Sequence, residues 1–121
     1  MSDQVQFVVQ ITIAEGGLEK FKELAKAAAD TVEAQEPGTI AYRWYFSEDQ
    51  TQCYVLEWYK SADLIPGHME CVGPILDEMG AVSHVTRFEV FGNVSEEIRA
   101  AMAPLGAKFL GYSHGFTRLP A

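Results

Sequence analysis

Thr39 to Lys60 reads TIAYRWYFSEDQTQCYVLEWYK, two runs of alternating large residues broken only by Glu48-Asp49-Gln50-Thr51. Ile40, Tyr42, Trp44 and Phe46 alternate with Ala41, Arg43 and Tyr45; Cys53, Val55, Glu57 and Tyr59 alternate with Tyr54, Leu56 and Trp58. A period of two puts each set on one face of a strand. So short a polar break predicts an antiparallel hairpin. Large apolar groups point to both sides, so both faces of the sheet need cover. That requirement constrains the rest of the chain.

The flanking segments supply cover for one face. Gln4 to Ile13 alternates, with Val5, Phe7, Val9, Ile11 and Ile13 on one side, and predicts another strand. Leu18, Phe21, Leu24, Ala25, Ala28 and Val32 fall on one stripe of a helix that Pro37-Gly38 ends. Ser61 to Gly80 is helical in pattern, with Ser61 or Asp63 as its cap. Pro66-Gly67 and Gly73-Pro74 predict that it is cut into two short helices. Val82 to Gly92 predicts a fourth strand, and Ser95 caps a last helix, EEIRAAMAPL. AKFLGYSHGFTR reads as an irregular arm or a short extra strand.

The order β-α-β-β-α-β is that of a ferredoxin-like α+β domain, an antiparallel sheet with helices on one face. Residues 1–92 form this domain, and 93–121 add a helix and arm packed upon it. The chain has 121 residues, enough for one core. The sheet face away from the helices would still expose apolar area that a monomer rarely tolerates. A homodimer joined sheet face to sheet face is therefore expected.

Charge removes some partners. The formal net charge is −8 with no basic cluster, which disfavours nucleic acid and anionic membrane surfaces. The N-terminus alternates and lacks the basic start and apolar run of a signal peptide. No stretch approaches a membrane span. With two cysteines outside any CxxC pair, the chain reads as cytoplasmic. Three histidines without HxH or HxxxH spacing, together with Arg87, give no metal motif. There is no GxGxxG or GxSxG pattern.

The segment from Pro37-Gly38 through Tyr42, Glu57 and Tyr59 to His68 resembles the antibiotic-biosynthesis-monooxygenase-like family of dimeric α/β barrels. The likeness covers about the first 90 residues. It implies a pocket in each subunit between sheet and helices. It also implies a cofactor-free monooxygenase acting on a small aromatic or quinol-type substrate. The family's haem-degrading branch is similar but uses an asparagine on the first strand and a tryptophan on the third. Here Gln6 and Gln10 occupy the first strand and Tyr59 the tryptophan position, so no cofactor is expected.

On this reading Tyr59 and His68 hold the substrate's oxygens. Glu57 is an acid in an apolar strand, either a base or the partner of Arg43 or Arg87. Tyr42, Trp44, Trp58 and Arg87 are the candidates to bind substrate. Two other functions fit the scaffold: a non-catalytic dimeric protein for a small ligand, and an isomerase-type activity with Glu57 or His68 as base.

Overall fold

Strand β1 (Val5–Ile13) runs through the middle of a five-stranded sheet. The other strands are β2 (Thr39–Phe46), β3 (Gln52–Tyr59), β4 (Ser83–Phe91) and β5 (Lys108–Leu110), in the order β2-β3-β1-β4-β5. The computed structural model describes residues 3–118; the outermost parts of the expected segments, 1–2 and 119–121, lie outside the described residues. The first four strands pair antiparallel, as the alternation requires. β5 pairs parallel to β4, so the sheet is mixed rather than wholly antiparallel. The reason is local: α3 (Glu96–Met102) carries the chain back to the start of β4's neighbouring edge before β5 begins.

Helix α1 (Leu18–Gln35) lays Phe21, Leu24, Ala25, Ala28 and Val32 against the sheet. Phe21 meets Trp44 and Phe46 edge-on, with ring centroids 6.1 and 5.9 Å away. Helix α2 (Ile65–Met79) is continuous, which corrects the expectation of two short pieces. Pro66 sits in its first turn, where no N–H is required. Pro74 is internal and removes one hydrogen bond, at a cost of about 3 kcal/mol. The buried stripe Ile65, His68, Val72 and Met79 runs past that point and holds the two halves in one helix. A short 3₁₀ turn, Ala62–Leu64, leads into α2, and Ser61 directs its hydroxyl to Asp63 rather than to a backbone N–H. α3 is capped as expected: the Ser95 hydroxyl accepts from the Ile98 N–H at 3.2 Å.

All three helices cover one face of the sheet. Phe7, Val9, Val55, Tyr59, Phe88 and Val90 meet Phe21, Ile65, Ile98 and Met102 in a single core. At Gly92 the backbone has φ +126°, and a Cβ would lie 2.7 Å from the Gln4 carbonyl oxygen. Only glycine lets the chain leave β4 so close to β1. No helix among the described residues is long and apolar enough to cross a membrane.

The opposite face carries Val8, Tyr45, Tyr54, Leu56, Trp58 and Phe91 among the polar groups Gln6, Gln10, Arg43 and Arg87. Tyr45 and Leu56 are 47% and 41% exposed.

Candidate functional site

The central strands set the site. In register, Glu57 on β3 lies between Phe7 on β1 and Tyr42 on β2, and all three point toward the helices. Strand geometry thus delivers one acid to the middle of an apolar floor. Above it, between sheet and α2, is a cavity of about 390 Å3. Phe7, Val9, Tyr42, Trp44, Val55 and Phe88 line it, with Glu57 and His68 among them. Its rim includes Val85 on β4 and Leu105, just beyond α3. Gly73 on α2 also faces it, and a Cβ there would meet no atom within 4 Å.

Two chain ends converge on Glu57. The helical stripe turns His68 inward, where it is 2% exposed. Glu36 follows the last turn of α1 and precedes Pro37, which disfavours helical backbone. Its φ of −124° and ψ of 75° swing it off the helix axis. Gly38 then permits close packing, since a Cβ there would lie 2.6 Å from Leu64 Cδ1. Glu36 comes to rest with Oε1 and Oε2 at 2.9 and 3.1 Å from His68 Nδ1. His68 Nε2 lies 3.3 Å from Glu57 Oε1. The Tyr59 hydroxyl donates to the same Oε1. Among the described residues no hydrogen bond reaches Glu57 Oε2.

The result is a carboxyl–imidazole–carboxyl line running from the cavity to the outside of the domain. Burial disfavours a charged ring and on its own would lower the His68 pKa. Hydrogen bonding and attraction from Glu57, then from Glu36, outweigh burial, and the net shift is upward. The linkage sign follows. A raised folded-state value means stability that is complete below about pH 6.5, the ordinary imidazole value, and is lost as pH rises through the folded value. Urea unfolding from mildly acidic to alkaline pH should show this loss in the wild type and not in His68→Gln. Identical pH dependence in the two proteins would contradict it.

Burial, then the charge of Glu57, pushes both Tyr59 and Tyr42 well above the usual phenol range. Both remain hydrogen-bond donors. The Tyr59 hydroxyl is spent on Glu57, and the side chain is fully buried behind the cavity wall. Tyr59, expected to hold a substrate oxygen, here turns its hydroxyl to Glu57, outside the cavity lining. His68 likewise has both ring nitrogens engaged within the protein. The Tyr42 hydroxyl has no hydrogen-bond partner among the described residues, and Trp44 Nε1 is a buried donor without one. Both residues line the cavity, with the Trp44 N–H itself turned away from accessible space.

Among the described residues no arginine pairs with Glu57. Arg87 lies on the opposite sheet face, where it binds Glu89 at 3.0 Å. Trp58 also points to that face, as its place one residue from Glu57 demands, and donates to Gln4 Oε1 at 2.8 Å. It lines a groove beneath the C-terminal arm with Tyr112 and Phe116. Neither Trp58 nor Arg87 borders the cavity of Glu57. Glu36 was not singled out from the sequence. The available signal was an acid immediately before the Pro-Gly that ends α1.

No protein in the functionally curated set matches the chain. Solved structures do share its fold. MupZ from Pseudomonas fluorescens is 24% identical with a TM-score of 0.86, covering 98% of this chain and 91% of that one. A variant of SnoaB, a cofactor-independent oxygenase from Streptomyces nogalater, is 18% identical with a TM-score of 0.66, covering 78% and 96%. Rv0793 from Mycobacterium tuberculosis is 18% identical with a TM-score of 0.64, covering 77% and 97%. These likenesses speak to the fold. The model of the antibiotic biosynthesis monooxygenase family matches residues 5–70, the span that carries Glu36, Tyr42, Glu57, Tyr59 and His68, and the chain belongs to that family.

Proposed function

We propose that the chain is a cofactor-independent monooxygenase in which Glu57 deprotonates a small aromatic or quinol-type substrate. The observation that carries this reading is the buried acid Glu57, set in the sheet floor of a mostly apolar cavity and braced by Tyr59 and His68. In such surroundings a substrate anion is poorly solvated and gives up an electron readily. For an activated CH2 between aromatic rings, Glu57 takes one proton and leaves a carbanion. This passes one electron to O2, and the radical and superoxide combine to form a C–O bond. The resulting hydroperoxide takes the proton from Glu57, loses the second C–H proton and expels water. One CH2 and one O2 become one C=O and one H2O, with no external reductant. Tyr42, which lines the cavity and keeps its phenolic proton, supplies a donor for the developing oxyanion.

An oxygen electrode with a panel of anthrones and hydroquinones tests the reading. Uptake of one O2 per substrate consumed is expected. Binding of the panel without uptake would replace it with the non-catalytic reading.

A second reading, redox-neutral proton transfer of isomerase type, is favoured by Tyr42, a phenol that keeps its proton and lines the same cavity as the base. Turnover that persists without oxygen would select it.

The working unit we propose is a homodimer joined through the open sheet face. Exposed Tyr45 and Leu56 support this, since burying apolar area stabilises at about 25 cal/mol per Å2 before entropic costs. Sedimentation should give a dimer at micromolar protein, and Leu56→Asp a folded monomer. A wild-type monomer would remove the dimer without affecting the cavity.

A further inference from the structure

We propose that Glu36 is a positioning residue that selects the tautomer of His68, and so makes Glu57 and His68 a pair sharing one proton. This rests on the reading of Glu57 as the base. Glu36 does not line the cavity of Glu57; it lines two clefts on the other side of the wall, with Pro37 and Thr39. It therefore acts on substrate only through His68.

The argument is one of donors and acceptors. Both oxygens of Glu36 face His68 Nδ1. The Thr39 hydroxyl donates to Glu36 Oε1 at 2.8 Å and fixes the carboxyl's place. An acceptor pair at Nδ1 requires the proton to be there. The ring then meets Glu57 through Nε2. Two bare acceptors 3.3 Å apart would repel, so one proton lies between Nε2 and Oε1. The ring is oriented by a third group, as in other acid–imidazole lines. When Glu57 takes a proton from substrate, the pair holds two. The second returns to the departing oxygen as water, and the pair ends the cycle as it began.

The groups that face the ring come from every neighbouring element. Glu36 lies at the end of α1, Tyr42 on β2, and Glu57 and Tyr59 on β3; both tyrosine rings are centred 5.2 Å from the imidazole. Cys71, one turn on in α2, reaches toward Gln35. The two tyrosines keep their protons, so among these neighbours of the ring the carboxyls are what set its state.

Nitrogen-15 shifts of His68 in the full chain test this without substrate. In the wild type, rising pH should strip Nε2 and leave Nδ1 protonated. Glu36→Gln offers Nδ1 either an amide oxygen or an amide N–H. It should lower the His68 titration midpoint and bring up the Nε2-protonated tautomer. With substrate, Glu36→Gln should lose about 10²-fold in kcat with KM little changed, and its alkaline limb should move to lower pH. A wild-type ring neutral with its proton on Nε2 overturns the proposal, whether or not the variant folds. So does an unchanged titration in Glu36→Gln, or a wild-type pH profile from it. If the nitrogen shifts hold but no substrate is turned over, the tautomer assignment stands and the reading of Glu57 as a base falls.

Discussion

Glu57→Gln is expected to lower kcat by about 10²- to 10⁴-fold in a protein that still folds and binds ligand. Glutamine fills the same volume and still offers Tyr59 an acceptor, so the wall of the cavity survives. What it lacks is a basic oxygen facing the substrate. Among the described residues, Glu57 and His68 are the cavity-facing groups tied into the acid line, and both nitrogens of His68 are engaged. Asp77 and His84 line the same cavity, but neither is held in the line that joins Tyr59, Glu57 and His68. Single-turnover kinetics separates the chemical step from binding. A variant that reacts at the wild-type rate would take Glu57 out of the reaction.

Phe7→Ala should cost about 3–5 kcal/mol, a large part of the roughly 5–15 kcal/mol that holds a domain of this kind together. Phe7 is 2% exposed and meets both Tyr59 and Phe88 edge-on, each with centroids 5.2 Å away. Removing it strips packing from two aromatic rings at once. Phe7 also forms part of the cavity floor, so the void would open into the site. The urea midpoint should fall with the slope unchanged, and bulkier ligands should bind better. A loss below about 1 kcal/mol would mean that the floor collapses to fill the gap, contrary to the packing described.

The strands and first helix were legible because their periodicities are strong. Val5 through Ile13 and the Thr39–Lys60 hairpin declare their inward faces residue by residue, and the same alternation separates Glu57 from Trp58. The second helix was less legible. Pro74 is a local breaker, and only the buried stripe from Ile65 to Met79, visible once the sheet is in place, shows why the helix continues through it. β5 was uncertain for a similar reason, since three residues carry too little pattern to declare a partner. At the site, Tyr42, Glu57 and His68 were readable as polar or aromatic groups on inward faces. Their roles were not. The reach of Glu36 to His68 spans 32 residues in sequence, and the hydrogen bond from Tyr59 to Glu57, though only two residues apart on one strand face, depends on side-chain directions set by the packing around them. No local spacing encodes these.

Gly73 gives the cavity a meaning beyond its walls. Apart from its chain neighbours and its own helix backbone, a Cβ there would meet no atom within 4 Å, but Pro74 follows it, and a proline disfavours helical backbone at a preceding residue that carries a Cβ. Glycine thus suits the backbone ahead of Pro74 and at the same time leaves the space beside it open to the cavity. One added methyl at this point would trim the chamber's capacity while leaving Glu57, Tyr59 and His68 where they are.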